Sequence, residues 1–293
     1  MSKENRARLF MMLSMFIFGT IAPFVRRIPV ASAELALYRA LMAMILLGGY
    51  LCVTRQKIPF AKIKRSMPLL LLSGIAMGFN WILLFEAYKH TTVSVATLSY
   101  YFAPVIVMAV SPILFREKLN SRQVACFAMS TLGLVMITGT GDLSQGSTHL
   151  TGVLFGLGAA VLYATVILLN KQIRDVAGIH RTFLQFAAAA LVLFPYVAVT
   201  SGFGLASIDG NGLVNLLIVG AVHTGLTYCM YFSALRDLPG QKAAILSYID
   251  PLVAVLISAL VLGEAMTLWH IAGGALILGF TLWNEIAPQT KSN

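Results

Sequence analysis

The chain has 293 residues, 58% of them hydrophobic and only 11% charged, with a formal net charge of +10. A soluble domain carries about 25% charged residues, so an ordinary soluble enzyme is excluded. The basic excess is explained by topology rather than by nucleic acid, as its distribution shows below.

Ten apolar segments of roughly membrane-spanning length follow one another at about 9–28, 33–53, 67–89, 91–114, 122–139, 151–172, 182–200, 212–234, 241–262 and 267–286. The first has a basic start (Lys3 to Arg8) and an Ala31-Ser32-Ala33 triplet that resembles a cleavage site. Arg26 and Arg27 intervene, so it is expected to stay as a helix rather than be removed as a signal peptide. Arg39 lies about two turns inside the second segment, where it could reach the outer surface, a lipid phosphate or a carboxylate. Glu86 precedes Lys89 and His90 at the end of the third, a spacing that suits an interfacial ion pair. Gly133 in the fifth segment and Gly273, Gly274 and Gly279 in the tenth allow close helix contact. Trp269 and Trp283 flank the tenth as interfacial anchors. The polar stretch Thr140–Thr151 is the clearest linker. It divides the chain into residues 1–143, a linker at 144–150, and residues 151–293.

With the N-terminus in the cytoplasm and ten segments threaded, seventeen of the 21 basic residues fall on the cytoplasmic side. Only Arg26, Arg27, Arg39 and Lys89 lie toward the outer side. This positive-inside asymmetry supports cytoplasmic N- and C-termini and an inner-membrane location. Partners are then the lipid bilayer and a small molecule, with no nucleic acid and no obligatory protein partner.

The two halves resemble each other. Residues 79–118 align without a gap to 226–265 at a constant offset of 147, with identities at Phe85/Phe232, Ala87/Ala234, Ala96/Ala243, Tyr101/Tyr248, Pro104/Pro251, Ser111/Ser258 and Glu117/Glu264. Upstream, Ile17-Phe18-Gly19-Thr20 corresponds to Leu162-Tyr163-Ala164-Thr165, and Arg26-Arg27-Ile28 to Lys171-Gln172-Ile173. Five segments per half is an odd number, so the second half enters the membrane inverted. Repeats in a polytopic membrane protein mark a transporter with its binding site where they meet.

Pro104 and Pro251 stand near the middle of the fourth and ninth segments. A proline inside a helix leaves the carbonyl four residues earlier without a donor, here those of Tyr100 and Ser247. Such groups must find water, a neighbour or a substrate, so both prolines are expected to be hinges beside a shared cavity. Asn80, Tyr163, His223 and Asp250 lie near the middle of their segments, where polar groups face a bundle interior or a wet cavity. Asp250 is the one carboxylate at that depth, and it must be either protonated or partnered. His223 is its nearest candidate partner in sequence and depth. An Asp–His or Asp–backbone contact that merely locks two helices is the alternative reading.

No GxSxG, HExxH or P-loop motif is present, so an enzyme is not expected. The histidines at 90, 149, 180, 223 and 270 share no ligand spacing, and Cys52, Cys126 and Cys229 form no CxxC pair and read as small buried hydrophobes. No metal, cofactor or disulfide framework is expected.

The pattern Pro104…Glu117 and Pro251…Glu264, closed by Leu262-Gly263-Glu264, resembles the EamA repeat; Phe115-Arg116-Glu117 departs from it by an arginine for glycine. The chain resembles the drug/metabolite transporter superfamily over its full length, and within it the bacterial aromatic amino acid exporters. The resemblance implies an all-α polytopic protein of ten helices, arranged as two inverted five-helix repeats around a central cavity. That cavity would be built mainly from helices 1, 3, 4, 6, 8 and 9. On those helices Phe79, Asn80, Tyr100, Tyr101, Tyr163, His223, Ser247, Tyr248 and Asp250 are the expected substrate-binding residues. Their aromatic, hydroxyl-rich character suits export of neutral or aromatic amino acids by alternating access. The alternative is a cationic drug exporter with Asp250 as the cation or proton site.

Overall fold

The computed structural model describes residues 3–56, 58, 63–115, 120–139, 146–173, 176–238, 243 and 246–286. Among these the chain is helical throughout and contains no strand. The elements are α1 (Lys3–Gly19), α2 (Ile21–Val25), α3 (Ser32–Val53), α4 (Met67–His90), α5 (Val93–Tyr100), α6 (Ala103–Phe115) and α7 (Ser121–Gly139). They continue with α8 (Gly146–Gln172), α9 (Gly178–Thr200), α10 (Gly210–Gly220), α11 (Thr227–Asp237), α12 (Ile249–Leu260) and α13 (Leu268–Ile286).

Among the described residues, seven helical stretches are long and apolar enough to cross a membrane: Lys3–Val25, Ser32–Val53, Lys64–His90, Val93–Leu114, Thr148–Gln172, Gly178–Thr200 and Gly210–Leu235. Ser121–Ile137 and Ile249–Leu260 are shorter apolar helices. The expected linker at 140–145, the Arg116, Glu117 and Lys118 cluster, and Lys57, Lys62, Arg174, Lys242 and Lys291 lie outside the described residues.

Three expected continuous segments are interrupted. The first divides at Thr20 into α1 and α2. The fourth breaks between Tyr100 and Ala103, and α12 of the ninth begins only at Ile249. Tyr101 (φ −71°, ψ 4°) and Tyr248 (φ −69°, ψ −9°) stand at the two breaks. They are equivalent positions in the repeat. Pro104 and Pro251 are therefore not mid-helix kinks: they occupy the first turn of α6 and α12. A proline is well placed there, because the first-turn N–H groups have no intrahelical acceptor. Its missing N–H and its ring, which crowds the carbonyl four residues back (Tyr100 and Ser247), stop the earlier helix from running through.

Helix pairing obeys the same symmetry. The segments α1–α2, α3, α4, α5–α6 and α7 correspond to α8, α9, α10–α11, α12 and α13. Exchanging the halves turns the α4–α8 contact into α1–α11, and the contacts of α8 with α5 and α6 into those of α12 with α1 and α2. It leaves α3–α9, α5–α12 and α7–α13 unchanged in kind. At the α7–α13 crossing a Cβ added at Gly133 would strike the Gly273 carbonyl, and one at Gly273 the Gly133 carbonyl. Small residues set how closely these backbones approach. Gly279 has no such neighbour.

Polar contacts join residues at alternate helix connections. Arg26 donates through Nε to the Tyr88 carbonyl (3.0 Å) and through Nη2 to the Thr91 carbonyl (2.9 Å), and its Nη1 reaches Glu264 (2.5 Å). Thr91 Oγ1 meets His149 Nδ1 at 2.9 Å, and the Gly204 amide donates to buried Glu34 at 2.6 Å. Glu86 pairs with Lys89 (3.1 Å) and His90 (3.6 Å), as the spacing predicts. Cys126 is buried and Cys229 half-buried, whereas Cys52 is exposed and does not fit the expectation of a buried hydrophobe.

Candidate functional site

A cavity of about 660 Å³ lies between the two halves. Its walls come from α1, α2, α4, α5, α6, α8, α11 and α12, with further contributions from Arg39 on α3, Gln123 on α7, Arg181, Thr182 and Gln185 on α9 and Asn284 on α13. The lining is thus wider than helices 1, 3, 4, 6, 8 and 9. The volume falls in the range of small-molecule sites.

Asp250 takes a hydrogen bond from the Tyr101 hydroxyl at 2.6 Å across the α5–α12 contact. The break at Tyr101 and the start of α12 put these two residues opposite one another. Gly19 completes the arrangement, because any side chain there would collide with the Asp250 carbonyl and Val253. Tyr100 packs on Tyr101 (5.7 Å between ring centroids) and on Tyr163 (5.2 Å). Tyr228 meets Phe18 and Phe186 at 5.2 Å each.

Of the residues singled out from sequence, Asn80, Tyr100, Tyr101, Tyr163, Ser247, Tyr248, Asp250 and Pro104 border this cavity; Phe79, His223 and Pro251 do not. Asn80 also commits its amide to the Ala159 carbonyl at 2.6 Å, which ties α4 to α8. Phe79 turns away to pack edge-on against Tyr196 (5.3 Å).

His223 does not pair with Asp250. Residues Ala221–Leu226 form a π-helical turn between α10 and α11; the side-chain hydroxyls of Thr224 within it and Thr227 just after it donate to the carbonyls of Val219 (2.9 Å) and Val222 (2.7 Å). The extra residue in the turn rotates the helix face. His223 then contacts Thr20 Oγ1 (3.1 Å) and lies tilted against Phe24 (4.9 Å between ring centroids). Inserted π turns concentrate at functional sites.

Sequence reasoning left Arg39 open and missed several neighbours. Arg39 is 5% exposed and donates through Nε to Thr224 Oγ1 (3.0 Å). Its guanidinium lies over Trp81 (4.5 Å) and Phe85 (5.9 Å). Toward the α9 end, Gln185 donates to Asn170 (2.8 Å) and to Ser73. Arg181 approaches the Ile173 carbonyl just past the end of α8 (3.4 Å), a favourable place for a cation. The periodicity of apolar helices gives no signal for these polar neighbours, although Arg39 shares the depth of the other candidates.

Glu264 gathers a second polar network. Besides Arg26, Glu264 accepts from the Val93 amide (2.8 Å) and from Ser258 Oγ, and Ser258 Oγ accepts in turn from the Ser94 amide (3.3 Å). One acid therefore binds together the ends of α2, α5 and α12.

The pattern of the EamA-like transporter family matches the chain twice, at residues 5–139 and 150–284. An uncharacterized transporter of Bacillus subtilis, YxxF, is 30% identical over 99% of this chain and 93% of its own length. An uncharacterized transporter of Archaeoglobus fulgidus is 28% identical over 93% of this chain and 94% of its own. A Salmonella typhimurium protein described as a probable amino-acid metabolite efflux pump is 28% identical over 81% and 84%. One solved structure superposes with a TM-score of 0.66 over 94% of both chains at 17% identity, which speaks for the fold alone. With both halves matched and the relatives aligned nearly end to end, this multi-pass membrane protein belongs to the EamA-like transporter family.

Proposed function

We propose that the protein exports neutral or aromatic amino acids across the cell's inner membrane by alternating access, using ten transmembrane segments in two inverted five-helix repeats. Residues 1–143 and 151–293 are the repeats, joined by the linker at 144–150, and both termini are cytoplasmic. The observation that carries this reading is the cavity between the halves, lined by tyrosines around Asp250 and Arg39. Tyrosine rings offer an aromatic cargo stacking surfaces, while their hydroxyls and Asp250 offer hydrogen-bonding sites for an amino group. The relation to a probable amino-acid metabolite efflux pump points the same way. Asn80, Tyr100, Tyr101, Tyr163, Ser247, Tyr248 and Asp250 contact the cargo.

The lining reaches Gln123, Lys171, Arg181 and Asn284, which stand at helix ends on the basic, cytoplasmic side of this topology. Arg26–Glu264 closes the outer side. The conformation is inward-open, and export requires that this latch release while the inner ends come together, with the breaks at Pro104 and Pro251 as hinges. A cationic drug is the weaker reading, because the buried guanidinium of Arg39 repels a cation in the same cavity. Counterflow exchange of radiolabelled phenylalanine, leucine and a quaternary ammonium compound in proteoliposomes tests this. Exchange of the ammonium compound alone would overturn the amino-acid reading.

A further inference from the structure

We infer that Arg39 is the carboxylate-binding group of the cavity, its terminal nitrogens held open for an anionic group of the cargo. An arginine is charged at every accessible pH, and burying a charge without compensation is expensive. Among the described residues Arg39 enters no ion pair; the four that form join Arg8 to Glu4, Arg26 to Glu264, and Lys89 and His90 to Glu86. Asp250 lines the same cavity but is bonded by Tyr101 rather than by the guanidinium.

What Arg39 does contact is the set that would aim it. The Nε atom is tethered to Thr224 at 3.0 Å, and Thr224 is itself fixed by the π turn through its bond to Val219. The plane is laid against Trp81 at 4.5 Å. Aromatic faces and one hydroxyl soften the cost of the buried charge but leave the two terminal nitrogens of the fork, the pair that grips a carboxylate bidentately. An arginine serving only as a helix tie would turn that fork onto a protein acceptor. The π turn thus has a purpose here, since it moves Thr224 under Arg39 while taking His223 away from Asp250. An amino acid then spans the cavity with its carboxylate on Arg39 and its amino group on Asp250. This assignment deepens the amino-acid reading and rests on it for the cargo.

The test uses the purified protein with Trp269→Phe and Trp283→Phe, leaving Trp81, which touches Arg39, as the fluorescent reporter. Phenylacetate, a carboxylate without an amine, should change the Trp81 signal saturably. Arg39→Gln should weaken that response at least about tenfold, by loss of a charge-assisted bidentate contact. Arg39→Lys and Thr224→Val should weaken it less, and they carry the test should Arg39→Gln not fold. No saturable phenylacetate response in the parent protein, or an unchanged one in Arg39→Gln, or in both Arg39→Lys and Thr224→Val, overturns the assignment. Phenylalanine exchange separates the two readings. Phenylacetate binding through Arg39 without amino acid exchange keeps the carboxylate site and removes the amino-acid cargo. Phenylalanine exchange with an unchanged KM in Arg39→Gln does the reverse.

Discussion

Asp250 and Tyr101 form the contact on which both repeats converge. The Tyr101 hydroxyl stands 2.6 Å from a carboxylate that a packed bilayer protein would not retain without a partner or a role. Asparagine at 250 keeps an acceptor for Tyr101 and removes the negative charge. Asp250→Asn should therefore fold and express normally, yet lower amino acid exchange by roughly tenfold or more, as expected when a charged hydrogen bond to cargo is lost. Its exchange rate should also lose most of its dependence on pH. Exchange at the parent rate with an unaltered pH profile would reduce Asp250 to a packing residue. Tyr101→Phe leaves the charge and removes only its donor, so its effect should be the smaller of the two.

Broken helices are where the bundle can change shape. Pro104 and Pro251 begin α6 and α12, and the repeat-equivalent Tyr101 and Tyr248 provide the breaks before them. Alanine at 104 and 251 restores a backbone donor to the Tyr100 and Ser247 carbonyls and lets each helix run on. The double variant should keep or raise its melting temperature while exchange slows several-fold; exchange at the parent rate would make the breaks purely structural. By contrast, α7 and α13 bear on stability. Leucine at Gly133 must push against the backbone of α13, and overpacking of this kind costs about 1–3 kcal/mol. Thermal unfolding in detergent should show a lower melting temperature for Gly133→Leu and none of that loss for Gly279→Leu, whose glycine faces open space.

At the scale of the molecule, the Arg26–Glu264 latch joins the ends of α2, α5 and α12. Arg26 is partly exposed and Glu264 more deeply set. Arg26→Ala removes one cation and three hydrogen bonds from the latch. A cysteine placed at Ser94 behind the latch should then react faster with an impermeant maleimide from outside, and an unchanged labelling rate would show that the latch does not gate. Topology has its own check in a variant without the three native cysteines. Cysteines at Leu205 and Ala265 should label from outside, and one at Gln56 only from inside. Labelling of Gln56 and Leu205, which sit in equivalent loops of the two halves, from the same side would refute the inverted arrangement.

Amphipathic chemistry and arithmetic made much of this protein readable in advance. Helix-length apolar runs leave no alternative to an all-helical bundle, since only helices satisfy their own backbone in lipid. The offset of 147 between Tyr101 and Tyr248 and between Pro104 and Pro251 identified equivalent points that the structure places at equivalent helix breaks. Depth along a segment picked out Asp250 and Tyr163, because polar groups cannot be left at mid-bilayer without reason. Facing was not readable, for one inserted residue in a helix turns everything beyond it. The π turn at Ala221–Leu226 sends His223 to Thr20 and delivers Thr224 to Arg39. The partner of Glu264 was equally hidden: Arg26 lies 238 positions away and meets it only once two repeats have packed together. Sequence sets composition, period and depth, which are properties of one segment; pairing depends on the angle at which segments meet, and only the assembled bundle decides that.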